Sequence, residues 1–124
     1  MTFTTKQLAR IAGITKWQLM AWDRQGLLRA ARGRVRGKTA DRAYTRAQAL
    51  GVIALAMLRR SGVSERKIRA AAAMLPVSIE GGAFLVFDGV LLPQVTAEEA
   101  IGLMEERPGS RVMRVAKLIE RLPA

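Results

Sequence analysis

The pattern T-x-x-[QE] occurs four times in this chain, at Thr4/Gln7, Thr15/Gln18, Thr45/Gln48 and Thr96/Glu99. A threonine hydroxyl in this setting accepts a hydrogen bond from the backbone N–H three residues on. The Gln or Glu reaches back to the threonine's own N–H. Two donors that every helix start leaves without partners are satisfied together. Four helix starts are thus marked before any hydrophobic pattern is read, and a mainly α chain is expected.

The stops are marked as well. Gly13 stops the first helix, Gly26 suits the left-handed position after the second, Ser61-Gly62 breaks a third helix, and Pro76 ends a fourth that Ser64 caps. Between these signals the apolar residues recur at helical spacing: Leu8, Ile11 and Ala12; then Leu19 and Trp22; then Leu50, Ile53, Ala54, Met57 and Leu58; then Ile68, Ala71, Ala72 and Leu75. The third set is a continuous stripe and predicts the central core helix. The first two helices are separated only by "AGIT", with Ile14 as an apolar plug. That is the spacing of a helix-turn-helix, whose second helix enters a DNA major groove. It is also the spacing of an ordinary helical hairpin, and on spacing alone both readings stand.

After Pro76 the texture changes. "AFLVFDGVLLPQV" places two apolar runs around Asp88-Gly89, a hairpin signal, and apolar residues on both faces predict that both faces are covered. A helix is expected from Ala97 to Met104, a turn at Pro108-Gly109, and a strand from Arg111 to Val115 running into a terminal helix. The expected fold class is mainly α with small β. It comprises a four-helix domain over residues 1–75 and a small β-hairpin-plus-helix module over residues 76–124.

Charge divides the chain at the same point. Residues 1–75 hold 16 Lys and Arg against Asp23, Asp41 and Glu65, whereas residues 76–124 hold five against seven acids. The first part is suited to a polyanion and the second is not. The densest stretch is "RAARGRVRGKTADRAY", residues 29–44. Arg29, Arg32, Arg34, Arg36, Lys38 and Arg42 face the single acid Asp41 there. Leu27 and Leu28 before it are read as a short buried strand. The chain has no Cys and no His, so disulfides, thiolate metal sites and imidazole acid–base chemistry are excluded. No two carboxylates form an identifiable catalytic motif, and neither a catalytic site, a metal nor a cofactor is expected. No apolar run approaches the roughly 20 residues needed to span a bilayer. "MTFTTKQLAR" has no secretory hydrophobic core, so a cytoplasmic protein with no membrane association is expected.

Taken together, "FTTKQLARIAGITKWQLMAWDRQGLL", Arg42 and Tyr44 before Thr45, and "ALGVIALAMLRRSGVSERKI" resemble the DNA-binding domain of the MerR family of transcription regulators, over roughly residues 3–75. Phe3, Thr4, Leu8, Ala9, Gly13, Ile14, Thr15, Leu19, Trp22, Asp23, Gly26, Leu27, Leu28, Arg42 and Tyr44 fill that family's pattern. The resemblance implies a winged helix-turn-helix, with residues 29–44 as a wing lying along the phosphate backbone. The residues it implies for the backbone are Arg32, Arg34, Arg36, Lys38, Arg42 and Tyr44. For the recognition helix, residues 15–25, they are Thr15, Lys16, Trp17, Gln18 and Arg24. Family members often carry Arg at the positions of Trp17 and Met20, and Tyr at that of Ala21. Trp17 is left either to pack on a sugar or thymine methyl or to bury against a neighbour, while Met20 is read as core or edge packing. Gln18 suits adenine but is also claimed by its capping box. Arg59 and Arg60 are read as complements to the C-terminal dipole of their helix, and Arg66, Lys67 and Arg69 as a solvated face.

The family's long dimerisation helix is precluded by Pro76 and the hairpin. Residues 76–124 are similar to the hairpin-plus-helix modules that follow this domain in some relatives. The expected function is a MerR-like transcriptional regulator that binds pseudo-palindromic double-stranded DNA as a homodimer through residues 76–124. The dimer rests on the apolar Phe84, Val86, Phe87, Leu91 and Leu92 in a module too short for its own core. A protein-interaction subunit, antitoxin-like, whose C-terminal module binds a partner protein is the alternative, and a DNA-bending architectural factor a third class.

Overall fold

The computed structural model describes residues 2–26, 31–32, 42–72, 83–88 and 91–123, with only the backbone of Ala31, Arg32, Arg42, Leu91 and Pro93. The expectations placed on Leu27–Leu28, Arg34, Arg36, Lys38, Leu75 and Pro76 lie outside the described residues. Among the described residues no helix is long and apolar enough to cross a membrane.

The chain opens on a strand that its sequence does not announce, β1 (Thr2–Thr4), followed by α1 (Thr5–Ala12) and α2 (Lys16–Arg24). Strands β2 (Ala31–Arg32) and β3 (Arg42–Thr45) then lead into α3 (Arg46–Arg60) and α4 (Glu65–Ala72). The remainder comprises β4 (Phe84–Phe87), β5 (Leu91–Gln94), α5 (Ala97–Glu106), β6 (Arg111–Arg114) and α6 (Val115–Glu120). The mainly α class with small antiparallel sheets stands as read from the sequence.

The capping pattern acts at all four starts, though not identically. Full reciprocal boxes close α1, where Gln7 N–H donates to Thr4 Oγ1 at 3.2 Å and Thr4 N–H to Gln7 Oε1 at 2.9 Å, and α3, with the same pair at Thr45/Gln48. At α2 only the threonine half is made: Gln18 N–H donates to Thr15 Oγ1 at 3.1 Å. At α5 the Glu99 carboxylate reaches past Thr96 and accepts from Val95 N–H at 3.1 Å. Gly13, with φ 74, closes α1, and the N–H groups of Gly13 and Ile14 both donate to the Ala9 carbonyl, at 2.9 and 3.0 Å. A left-handed residue there lets the chain reverse into α2.

Helix α3 is the hub. Ala49, Leu50, Val52, Ile53, Ala54, Leu55, Ala56 and Leu58 are all buried, so its apolar surface extends well beyond the one stripe read from the sequence. A helix apolar on nearly every side must be surrounded. Helices α1, α4 and α6 and strands β1 and β3 do so.

The first sheet has the order β1-β3-β2, all antiparallel, with Phe3 opposite Tyr44 and Arg32 opposite Arg42. The second has the order β5-β4-β6, with β4 central. Phe87 pairs with Leu91, so β4 and β5 are antiparallel neighbours on either side of the predicted Asp88-Gly89. Leu85 is opposite Met113, and with Phe87 these residues join the same buried cluster as Phe3, Leu50 and Ile53. Val86, on the other face, is covered by α5, which carries the buried Ala100. Val115 N–H donates to the Ala83 carbonyl at 2.9 Å, and Leu118 of α6 and Leu122 after it complete the cluster beside α3.

Of the apolar set read as a dimer contact, Val86 and Phe87 are buried within the chain itself, while Phe84 and Leu92 are half-buried.

Candidate nucleic-acid interface

At 3.6 residues per turn, the residues of α2 divide into two faces. Leu19, Trp22 and Asp23 are buried against α1 and the core. Lys16, Trp17, Met20, Ala21 and Arg24 form the opposite stripe. Lys16, Trp17 and Arg24 are exposed, and Met20 and Ala21 half-buried. Trp17 is 66% exposed, which decides between the two readings of it in favour of an outward side chain. The Lys16 ammonium lies 5.1 Å from the centroid of the Trp17 ring, a cation–π distance. Met20 is not a core residue. It sits mid-stripe between Trp17 and Arg24, half-buried at the edge of the helix packing. Gln18 flanks the stripe, half-buried, and its amide is not spent on Thr15, since that half of the capping box is absent. Thr15 itself is committed as the cap acceptor.

One hydrogen bond ties this helix to the body of the protein, and a second braces the turn that precedes it. The Trp22 indole N–H, at the buried end of α2, donates to Glu65 Oε1 at 2.7 Å. Glu65 is the first residue of α4, so the bond ties α2 directly to α4. Arg60, in the last turn of α3, donates from its guanidinium to the Ala12 carbonyl at 3.1 Å. Arg60 therefore serves the C-terminal end of α1, not only the dipole of its own helix, and braces the turn between α1 and α2. Neither bond is legible in the sequence. Glu65 is visible there as an acid in a first helical turn, and a buried Trp needs an acceptor, but their separation along the chain hides the pairing.

The basic stretch is held at both ends. Ala31 pairs with Ala43 and Arg32 with Arg42, and β3 is itself paired on its other side with β1. Residues 33–41 thus connect two hydrogen-bonded strands, of which β3 is the central member of a three-stranded sheet. Tyr44, expected to face DNA backbone, is 0% exposed and lies in the core beside Phe3. Alternation along β3 turns it inward, and its role is to anchor the strand. Arg34, Arg36 and Lys38 lie outside the described residues, as do the side chains of Arg32 and Arg42.

Arg66, Lys67 and Arg69 of α4 are exposed. In the C-terminal part, Arg107 is ion-paired with Asp88 at 2.9 Å.

The comparisons with known proteins follow the same outline. No curated protein matches the chain. A crystal structure described as HiNmlR, a MerR family regulator lacking the sensor domain, bound to promoter DNA, is similar over 97% of this chain and 71% of that one, with 26% sequence identity and a TM-score of 0.50. Residues 3–75 match the MerR HTH family of regulatory proteins. The match takes in both helices of the turn, the paired strands and the hub helix, and the chain belongs to that family.

Proposed function

We propose that this protein is a DNA-binding transcription regulator that acts without catalysis. The observation that carries the proposal is the outward stripe of α2, Lys16, Trp17, Met20, Ala21 and Arg24, on a helix fastened at its buried face by Trp22. Side chains that read a groove must project from a rigid element; this helix is tied to α4 at Trp22 and follows a turn that Arg60 braces. A related regulator was solved on promoter DNA, which supports the same partner here.

In this reading α2 lies in the major groove. Trp17 packs on a thymine methyl or sugar, Lys16 and Arg24 contact phosphate, and Gln18 is free to pair with adenine. Arg32, Arg34, Arg36, Lys38 and Arg42 run along the backbone from the sheet-anchored stretch, and neutralise phosphates. Specificity is then weighted toward A·T-rich steps, because Lys16 and Arg24 are spent on phosphate and Trp17 and Met20 cannot hydrogen-bond guanine. Two copies on a pseudo-palindrome supply the footprint that a single small domain lacks.

The C-terminal part, residues 76–124, is proposed to provide the contact between copies or with a partner protein. The exposed Val95, Ile101 and Val112 are available for it. An antitoxin-like subunit would use the same surface.

Selection from a random duplex pool tests the function. Enrichment of an inverted repeat is expected. A pool that remains random after several rounds at low salt refutes it.

A further inference from the structure

An open cleft of about 690 Å³ lies between the end of α3 and α6, lined by Met57, Arg60, Ser61, Lys117, Glu120 and Arg121. We propose that it is an oxyanion site, built to take a phosphate group on Arg60, Lys117 and Arg121.

Three cations face one acid, Glu120, across this space. Among the described residues neither Lys117 nor Arg121 makes an ion pair, in contrast to Arg107, which is held by Asp88 at 2.9 Å. Arg60 spends one N–H on the Ala12 carbonyl. A guanidinium has five donors, so it retains others for an anion. The Ser61 hydroxyl gives its proton to the Leu58 carbonyl at 2.9 Å, so the cations and not the hydroxyl do the binding. Two guanidinium groups and an ammonium are suited to a tetrahedral oxyanion, the guanidinium in a fork and the ammonium as a point charge. Lys117 and Arg121 lie four apart on the last turns of the chain, so they share one face of the helix.

The position of the site gives it a consequence. Arg60 is the residue that braces the turn between α1 and α2. Its Nη1 lies 3.1 Å from where a side chain on Gly13 would begin. An anion held by Arg60 therefore engages the same guanidinium that braces the turn before α2. The C-terminal helix, which the charge balance of residues 76–124 marks as part of an acidic region, contributes the two cations that complete the site.

The phosphate has two sources, a free phosphorylated ligand or the backbone of bound DNA, and one experiment separates them. Inorganic phosphate and pyrophosphate are titrated into the intact protein at constant ionic strength, with chloride as control, and followed by thermal melting and amide chemical shifts. Wild type, K117Q/R121Q and the control K67Q/R111Q are compared. Duplex affinity is measured for all three across a salt series. With a free ligand, phosphate or pyrophosphate gives a saturable shift centred on α6 that chloride does not, weakened about tenfold in K117Q/R121Q and kept in the control. With DNA phosphate, the salt dependence of duplex affinity for K117Q/R121Q is shallower by about 0.9 for each phosphate left without its cation. Retained duplex binding by wild type, with both readouts of K117Q/R121Q equal to wild type, overturns the oxyanion site and leaves the DNA reading intact. The two substituted positions are exposed, and circular dichroism of the variant is the check that it is folded.

Discussion

The indole of Trp22 and the carboxylate of Glu65 are joined by a 2.7 Å hydrogen bond, across the space between α2 and α4. Trp22 is 0% exposed, so the N–H has no water to turn to. Removing the acceptor leaves a buried donor unsatisfied, which costs about 1–3 kcal/mol. Glu65→Ala is expected to lower stability in urea denaturation by that amount. Glu65→Gln, which keeps an acceptor oxygen, is expected to cost less. Equal stabilities of wild type and Glu65→Ala contradict the role assigned to this bond.

Gly13 and Arg60 are predicted to be coupled. Gly13→Ala imposes a side chain at φ 74, a left-handed strain of about 1–2 kcal/mol, and crowds the Arg60 guanidinium. In an Arg60→Ala background the crowding is gone and only the strain is left. A double-mutant cycle is expected to give less destabilisation for the pair than the sum of the singles. Strict additivity would mean that the two residues do not meet.

The caps differ in what they carry. Thr45→Ala removes one half of a complete box at the start of the hub helix, at about 1 kcal/mol. Thr15→Ala removes the one capping bond α2 has, but leaves no reciprocal Gln18 bond to be disturbed. Thermal melts of both are expected to place Thr45→Ala lower. The reverse order would show that the half-box at α2 matters more than its geometry implies.

Much of this architecture is legible in the sequence because its signals are local. Threonine caps, Gly13 at a left-handed turn and the Asp88-Gly89 hairpin each act over three or four residues, where the chain contains the whole of the cause. β1 escapes such a reading because Thr2–Thr4 is three residues long and pairs with a strand about forty residues away. The flanking of Phe3 by two β-branched threonines is the available signal. Resemblance alone puts Tyr44 on the DNA side, whereas alternation from the paired Phe3 turns it inward. The burial of Val86 and Phe87 depends on β6, α5 and α6, so reading the hairpin alone overstates its unsatisfied surface. Trp17, by contrast, has two roles open to it in the sequence, and only the assembled helix shows that it points out.

Trp17 gives a direct test of the reading face. At 66% exposure, its replacement by Ala is expected to leave the melting temperature within a degree or so, while duplex affinity falls several-fold. Trp17→Arg is expected to shift the selected sequences toward guanine at one position per half-site. A loss of stability in Trp17→Ala without a loss of affinity would assign the ring to packing.

The central claim is that the sheet-anchored basic stretch neutralises phosphates while α2 reads the groove. Duplex affinity measured against salt, for wild type and for a variant with Arg32, Arg34, Arg36, Lys38 and Arg42 all changed to Gln, tests it most directly. The account predicts that log affinity of wild type falls linearly with log salt, and that the variant binds more weakly with a slope shallower by about 0.9 for each phosphate no longer neutralised. Wild-type affinity indifferent to salt, or a variant with unchanged affinity and slope, would contradict it.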